Sequence, residues 1–237
     1  MTFYSRTQQL VGSDGTRRLK EAHVLVVGLG GVGGYAAEML CRSGVGKLTI
    51  VDGDSVAPSN INRQIIALQS TVGQPKAELF RNRLHDINPD CQVNAVQQFL
   101  RDQALIDLLR AERYDYVVDA IDTLSPKTFL LYHAHSLHLP VVSSMGSAGK
   151  LDPSAVQISD ISKSHTCPLA AALRKRLHRL GVQDGITVVF STEKTDPASV
   201  LEDPSQNKRT TIGTISYLPP LFGCYCASVV IRNIIRP

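Results

Sequence analysis

His23-Val24-Leu25-Val26-Val27-Gly28-Leu29-Gly30-Gly31-Val32-Gly33 decides the fold of this chain. A short apolar run ends on a G-x-G-x-x-G turn, and a helical pattern over Val32–Arg42 follows directly, with Val32, Ala36, Met39 and Leu40 on one side and Gly44 as its stop. Strand, glycine turn and helix in that order are the context in which the turn binds a phosphate. The glycines permit a tight bend and close backbone approach, and the helix N-terminus then offers free N–H groups and a positive dipole end. Asp52 closes the next apolar run, Leu48–Val51, at the place where an acid accepts hydrogen bonds from ribose hydroxyls.

The same alternation continues outward. Helical patterns over Pro75–Asn88, Asp102–Arg110 (capped by Asp102) and Ser125–His138 alternate with strand-like runs at Val93–Val96, Tyr116–Asp119 and Val141–Ser144. Ala155–Ser159 and Thr187–Ser191 read as further strands, and Leu169–Leu180 as a basic amphipathic helix with Leu173, Leu177 and Leu180 inward. Lys194–Thr211 is polar, holds Pro197 and Pro204, and reads as a long mobile loop; Leu221–Ile235 reads as a last, buried helix. The expectation is a Rossmann-like α/β fold, a mostly parallel sheet with flanking helices, in one domain spanning residues 1–237.

Composition sets bounds on function. Of the 237 residues, 43% are hydrophobic and 19% charged, ordinary for a soluble globular chain, and the net charge of +4 permits a phosphate-bearing partner without requiring one. The N-terminal residues lack the apolar core of a signal peptide, and the apolar C-terminal stretch is interrupted by Pro219-Pro220 and Arg232-Asn233, so no membrane association is expected. Five scattered cysteines fit a reducing, cytoplasmic setting.

The glycine turn alone fits NAD as well as ATP; the segment after Asp52 separates them. Asp54, Asn60, Asn62, Arg63 and Gln64, followed by Lys76 at a helix start, suit a triphosphate. Arg63 can clamp phosphate with a planar fork and Lys76 can act as a point charge, and both would stabilise charge on a departing pyrophosphate. A solvated polar loop is the plain alternative. In Asp119-Ala120-Ile121-Asp122, which ends a strand, Asp122 is the candidate for holding Mg²⁺ on the phosphates, and Asp119 for a structural acid pairing with loop backbone.

These motifs, from Tyr4-Ser5-Arg6 through the glycine turn, Asp52-Gly53-Asp54, Asn60-Ile61-Asn62-Arg63-Gln64, Lys76 and Asp119-Ala120-Ile121-Asp122, resemble the ThiF/MoeB/HesA family of ubiquitin-activating-like adenylating enzymes over about the whole chain. Ile87-Asn88-Pro89-Asp90-Cys91, Ser143-Ser144-Met145-Gly146, Lys150-Leu151-Asp152-Pro153, Pro168-Leu169-Ala170 and Val189-Phe190-Ser191-Thr192-Glu193 are most similar to its tRNA threonylcarbamoyladenosine dehydratase branch, as is Asn62, where sulfur-carrier activators usually have Gln. The resemblance implies an adenylation fold, ATP and Mg²⁺ as requirements, and a tRNA whose threonine carboxylate is adenylated and then cyclised. Adenylation of a sulfur-carrier protein's C-terminal carboxylate is the alternative that it leaves open. It implies a nucleotide set of Gly28, Gly30, Gly31, Gly33, Asp52, Asp54, Asn60, Arg63, Gln64 and Lys76, and a catalytic set of Arg63, Lys76, Asp122 and Arg6, the last supplied across a homodimer. A cysteine desulfurase of a sulfur relay is a further implied partner. Zinc-bearing relatives carry two C-x-x-C pairs; Cys224-x-Cys226 has the wrong spacing, so no structural zinc is expected.

Other residues invite a role. Cys167, read as lying in an exposed loop beside His165, is a candidate thioester or sulfur acceptor, although intramolecular cyclisation needs no such nucleophile. Cys41 and Cys91 read as core fillers, and His133, His135 and His138 as ordinary helix histidines. Arg174-Lys175-Arg176-Leu177-His178-Arg179 and Lys208-Arg209 are candidates for touching tRNA phosphates, against the plainer reading of a solvated face.

Overall fold

The computed structural model describes residues 3–100, 102–202 and 210–236. Strands β1 (His23–Val27), β2 (Lys47–Val51), β3 (Gln92–Val96), β4 (Tyr116–Asp119), β5 (Val141–Ser144), β6 (Val156–Asp160) and β7 (Thr187–Ser191) form one sheet in the order β3-β2-β1-β4-β5-β7-β6. Every pairing is parallel except that of β6 with β7. The chain lays β2 and β3 to one side of β1, then crosses to place β4 on the other. The strand order therefore reverses between β1 and β4, and in open α/β sheets the crevice beyond the carboxyl ends at that point takes the ligand.

Side chains alternate across the sheet, as a period of two requires. Val24 and Val26 of β1 join one apolar layer with Leu48, Ile50, Phe80 and Phe222. Leu25 and Val27 join the other with Val117, Leu130, Leu173 and Phe190. Helices α2 (Gly33–Arg42), α3 (Lys76–Ile87) and α7 (Leu218–Ile235) contribute to the first layer; α4 (Asp102–Ala111), α5 (Leu124–Ser136) and α6 (Pro168–Arg179) cover the second. Helix α7 is long and apolar enough to span a membrane by length and composition. Its i, i+4 row Leu218, Phe222, Cys226 and Val230 is nevertheless fully buried, and Gly223 lets it close onto α2, where an added Cβ would stand 2.3 Å from the Val32 carbonyl oxygen. Burying Leu218, Phe222 and Val230 contributes roughly 1.5–3 kcal/mol each, an upper bound set against an extended chain.

The structure departs from the sequence expectations in four places. The first is helix α1 (Ser5–Glu21), broken at Gly12 with φ 76°, which the apolar pattern does not announce: in it Gly15, Thr16 and Leu19 are buried. The second is Lys194–Thr211, which holds a short antiparallel pair, β8 (Val200–Glu202) with β9 (Thr210–Ile212). That pair is tied back through Gly213, whose N–H donates to the Ser199 carbonyl and whose carbonyl accepts from the Gly149 N–H, both at 2.8 Å. Pro204, Lys208 and Arg209 lie outside the described residues. The third is the end of α5 at Ser136, beyond which His138 takes φ 54°. The fourth is Leu180, which is exposed beyond the end of α6 rather than turned inward.

Candidate nucleotide site

The glycine turn is held by neighbours that leave no room for side chains. Gly28 has φ 89°, and an added Cβ there would stand 2.8 Å from the Ala120 carbonyl oxygen. At Gly33 it would lie 1.8 Å from the Gly28 carbonyl oxygen, so the helix N-terminus folds directly onto the turn. The backbone closes the same corner: the Gly28 N–H donates to Val51 O (2.8 Å) and the Ala120 N–H to Val27 O (2.9 Å), bringing the carboxyl ends of β1, β2 and β4 together.

Asp52 sits at this junction. Its Oδ2 accepts from the Leu29 N–H (2.6 Å) and its Oδ1 from the Asp54 N–H (2.8 Å), so the carboxylate anchors the glycine turn. Burial raises its pKa, and the Lys76 charge works against that rise. Lys76 opens α3 almost fully buried, its Nζ 3.2 Å from Asp54 Oδ2 and its N–H on the Asp54 carbonyl at 3.0 Å. Asp52, Asp54 and Lys76 thus form one charged edge beside the turn.

The Asn60–Gln64 segment packs on the glycine turn at Gly30 and Gly31. Asn60 Oδ1 accepts from the Ala57 N–H (3.1 Å), and its carbonyl accepts from the N–H groups of Arg63 (3.1 Å) and Gln64 (2.9 Å), so Asn60 shapes the loop. Arg63 Nη1 donates to Ser59 O (3.0 Å) and Asn62 Oδ1 (2.9 Å), and its stem lies on Gly31, whose added Cβ would stand 3.2 Å from Arg63 Cγ. Burial pulls the Arg63 pKa down, and the negative charge of Asp122 works against that fall. Gln64 is buried, its Nε2 3.6 Å from where a Gly30 Cβ would be, and its Oε1 is buried with no hydrogen-bond partner among the described residues. An orphaned buried amide costs about 1–3 kcal/mol, and such a group under a phosphate turn fits a bound ligand: a half-turn of the amide presents an N–H to a phosphate there.

Asp122 projects exposed from the loop after β4. Among the described residues there is no group of three or more His, Cys, Asp or Glu that could hold a metal. A single carboxylate still suits Mg²⁺, which is usually held by one or two carboxylates plus substrate phosphates. Asp119 accepts from the Ile121 N–H (3.1 Å), the loop-backbone role expected of it, and also from Ser143 Oγ (2.6 Å) and Lys127 Nζ (2.7 Å). Lys127 Nζ donates further to the Ile121 carbonyl (3.0 Å). Both members of this ion pair are fully buried. Lys127 is not legible from sequence, because a lysine in a helix reads as surface.

Two sequence candidates stand elsewhere. Arg6 is exposed on α1, and its side chain makes no hydrogen bond or ion pair among the described residues. Cys167 is buried rather than exposed: Thr166, with φ 64°, turns the chain so that Cys167 precedes α6 with its sulfur 3.6 Å from where a Gly146 Cβ would be. Cys41 and Cys91 are buried side by side, and the neighbouring Cys91 sulfur, with burial, pushes the Cys41 thiol up.

The sheet order and the glycine turn define a ubiquitin-activating-type adenylation fold. The chain belongs to the ThiF family, whose model matches residues 4–237. It is 44% identical over 200 residues to a tRNA threonylcarbamoyladenosine dehydratase of Bacillus subtilis, covering 84% of this chain and 78% of that protein. It is 40% identical to the enzyme of that name from Escherichia coli, covering 80% and 73%. The crystal structure of the E. coli enzyme, TcdA, in complex with ATP superposes with a TM-score of 0.87 at 34% identity, covering 98% of this chain and 93% of that one.

Proposed function

We propose that this chain is an ATP-dependent tRNA threonylcarbamoyladenosine dehydratase. The observation that carries the reading is the convergence of the glycine turn, Asp52, Lys76, Arg63 and the orphaned Gln64 amide at the switch point between β1 and β4. Relatives named for that activity, one of them solved with ATP, support it.

In this reading ATP lies with its ribose toward Asp52 and its phosphates over the glycine turn. The threonine carboxylate oxygen attacks the α-phosphorus and pyrophosphate leaves, its growing charge met by Arg63 and Lys76. The adjacent carbamoyl group then attacks the activated carbon, losing a proton, and AMP departs with the carboxylate oxygen. The attacking group is already part of the substrate, so the high effective molarity of an intramolecular reaction replaces an enzyme nucleophile, consistent with a buried Cys167. Asp122 would hold Mg²⁺ on the phosphates. Arg6 would reach the phosphates of a second copy in a homodimer, and the setting is the cytoplasm.

The test is incubation with ATP, Mg²⁺ and tRNA bearing the threonylcarbamoyl mark, followed by mass spectrometry of the nucleoside. The expected product is lighter by one water, with AMP formed in step; an unchanged mass sinks the proposal.

A further inference from the structure

The basic run of α6 occupies a particular place. The helix begins after Cys167, whose sulfur lies against Gly146 just beyond the carboxyl end of β5. Two and a half turns on, Arg176 Nη1 donates to Ser125 Oγ (2.8 Å), in the first turn of α5 and three residues past Asp122. Both anchor points follow the carboxyl ends of the parallel strands β4 and β5, so α6 lies at the same edge of the sheet as the glycine turn, which follows the carboxyl end of β1.

Its charges divide by direction. Ala170, Leu173 and Leu177 face the core. Arg174 turns sideways, its Nη1 donating to Ser164 O (2.7 Å) and Oγ (2.6 Å). Lys175 and Arg179, four residues apart, point away from the buried row on the exposed face. No Asp or Glu occurs in Pro168–Arg179, so no acid within the helix neutralises this face.

We propose that the outer face of α6, with Lys175 and Arg179 at its centre and Arg176 on the side that meets α5, binds the phosphate backbone of the substrate RNA. The inference rests on the proposed tRNA activity. A reacting nucleotide within a polynucleotide carries a phosphate on each side, so when its base enters the crevice the neighbouring phosphates must cross this edge of the sheet. Fixed positive charge there meets them without reading sequence.

The experiment compares the parent with Lys175→Gln/Arg179→Gln, both exposed and both tolerant of Gln in a helix. Binding of unmodified and threonylcarbamoyl-bearing tRNA is measured by fluorescence anisotropy across a salt series. The variant is expected to bind either tRNA about tenfold more weakly at low salt. Its slope of log affinity against log salt should be shallower by about 1.4–1.8, the change expected when two phosphates are no longer neutralised. The ATP-induced thermal shift should equal the parent's, showing an intact nucleotide site. Equal tRNA affinity and slope in the two proteins would overturn the α6 surface while leaving the dehydratase reading in place. A parent that neither binds tRNA nor changes the nucleoside mass would overturn both. Loss of binding to an acidic Gly-Gly-ended carrier protein, with tRNA binding unchanged, would assign the face to a protein partner and refute the inference.

Discussion

Replacing Lys127 with Met isolates the buried ion pair behind the Asp122 loop. In the parent, Asp119 accepts from Lys127 Nζ, Ser143 Oγ and the Ile121 N–H, and both charges are fully buried. Without Lys127 the carboxylate keeps two neutral donors and no counter-charge. Breaking a buried pair from one side costs about 3–5 kcal/mol, since the remaining charge is desolvated and uncompensated. For a chain of this length each kcal/mol moves the melting temperature by roughly 2–4 °C, so calorimetry should show a fall of about 6–20 °C. The double substitution Asp119→Asn/Lys127→Met removes both charges and should recover a large part of that loss. The chemistry should suffer separately. Lys127 Nζ also holds the Ile121 carbonyl, and Asp119 its N–H, so the pair clamps both polar groups of the residue before Asp122. Loosening that clamp should lower substrate-dependent AMP formation by about ten- to a hundredfold at temperatures where the variant remains folded, the scale of a misplacement near 1 Å. A melting temperature within about 3 °C of the parent, or a double variant no more stable than the single one, would refute the reasoning from uncompensated charge.

Three further outcomes follow from the geometry. Gly33→Ala sets a Cβ 1.8 Å from the Gly28 carbonyl oxygen, so the turn must open, and the ATP-induced thermal shift should vanish. Gln64→Met removes the orphaned Oε1; the unliganded protein should gain up to about 1 kcal/mol in denaturant unfolding while ATP affinity, read by calorimetric titration, falls. Glu38 lies buried on α2 between Arg42 (2.8 Å) and Arg83 (2.6 Å); burial by itself would raise its pKa, but hydrogen bonds from the two arginines hold it below the ordinary 4.5. A depressed carboxylate pKa gives stability that is full above pH 4.5 and is lost as pH falls through the lowered value. Glu38→Gln should therefore cost about 1.5–3 kcal/mol at neutral pH and flatten the acid limb of the stability curve, measured by urea unfolding at several pH values.

The parts of this protein that sequence reveals are those in which one residue type has one physical use. A run of Val and Leu ending in Gly28-Leu29-Gly30-Gly31-Val32-Gly33 can fold as strand, phosphate turn and helix in few other ways, and the parallel order of the following strands comes with it. Arg63 and Lys76 stand out as candidates in the sequence because their charges have no apparent structural task there, and the fold sets Arg63 against Gly31 and Lys76 beside Asp54. Helix α1 is not, because it buries few residues and its break at Gly12 interrupts the period. Lys127 is hidden for the opposite reason: its partner lies on another element, and only the fold brings Asp119 within 2.7 Å. Cys167 departs from its expected exposure because a left-handed residue at Thr166 reverses the chain, a geometry to which the neighbouring polar residues give no clue.

The distribution of sulfur in the fold has a practical consequence. Cys41, Cys91, Cys167 and Cys226 are buried, Cys224 is partly accessible, and burial pushes the Cys226 thiol up to about 12. Alkylating reagents act on thiolates they can reach; burial also raises the Cys224 thiol, so the native chain should label at Cys224 more slowly than a free thiol does but faster than at the other four. The slow sites are distributed over α2, the approach to β3, the start of α6 and α7, so their individual labelling rates form a clock of local opening in separate parts of the molecule.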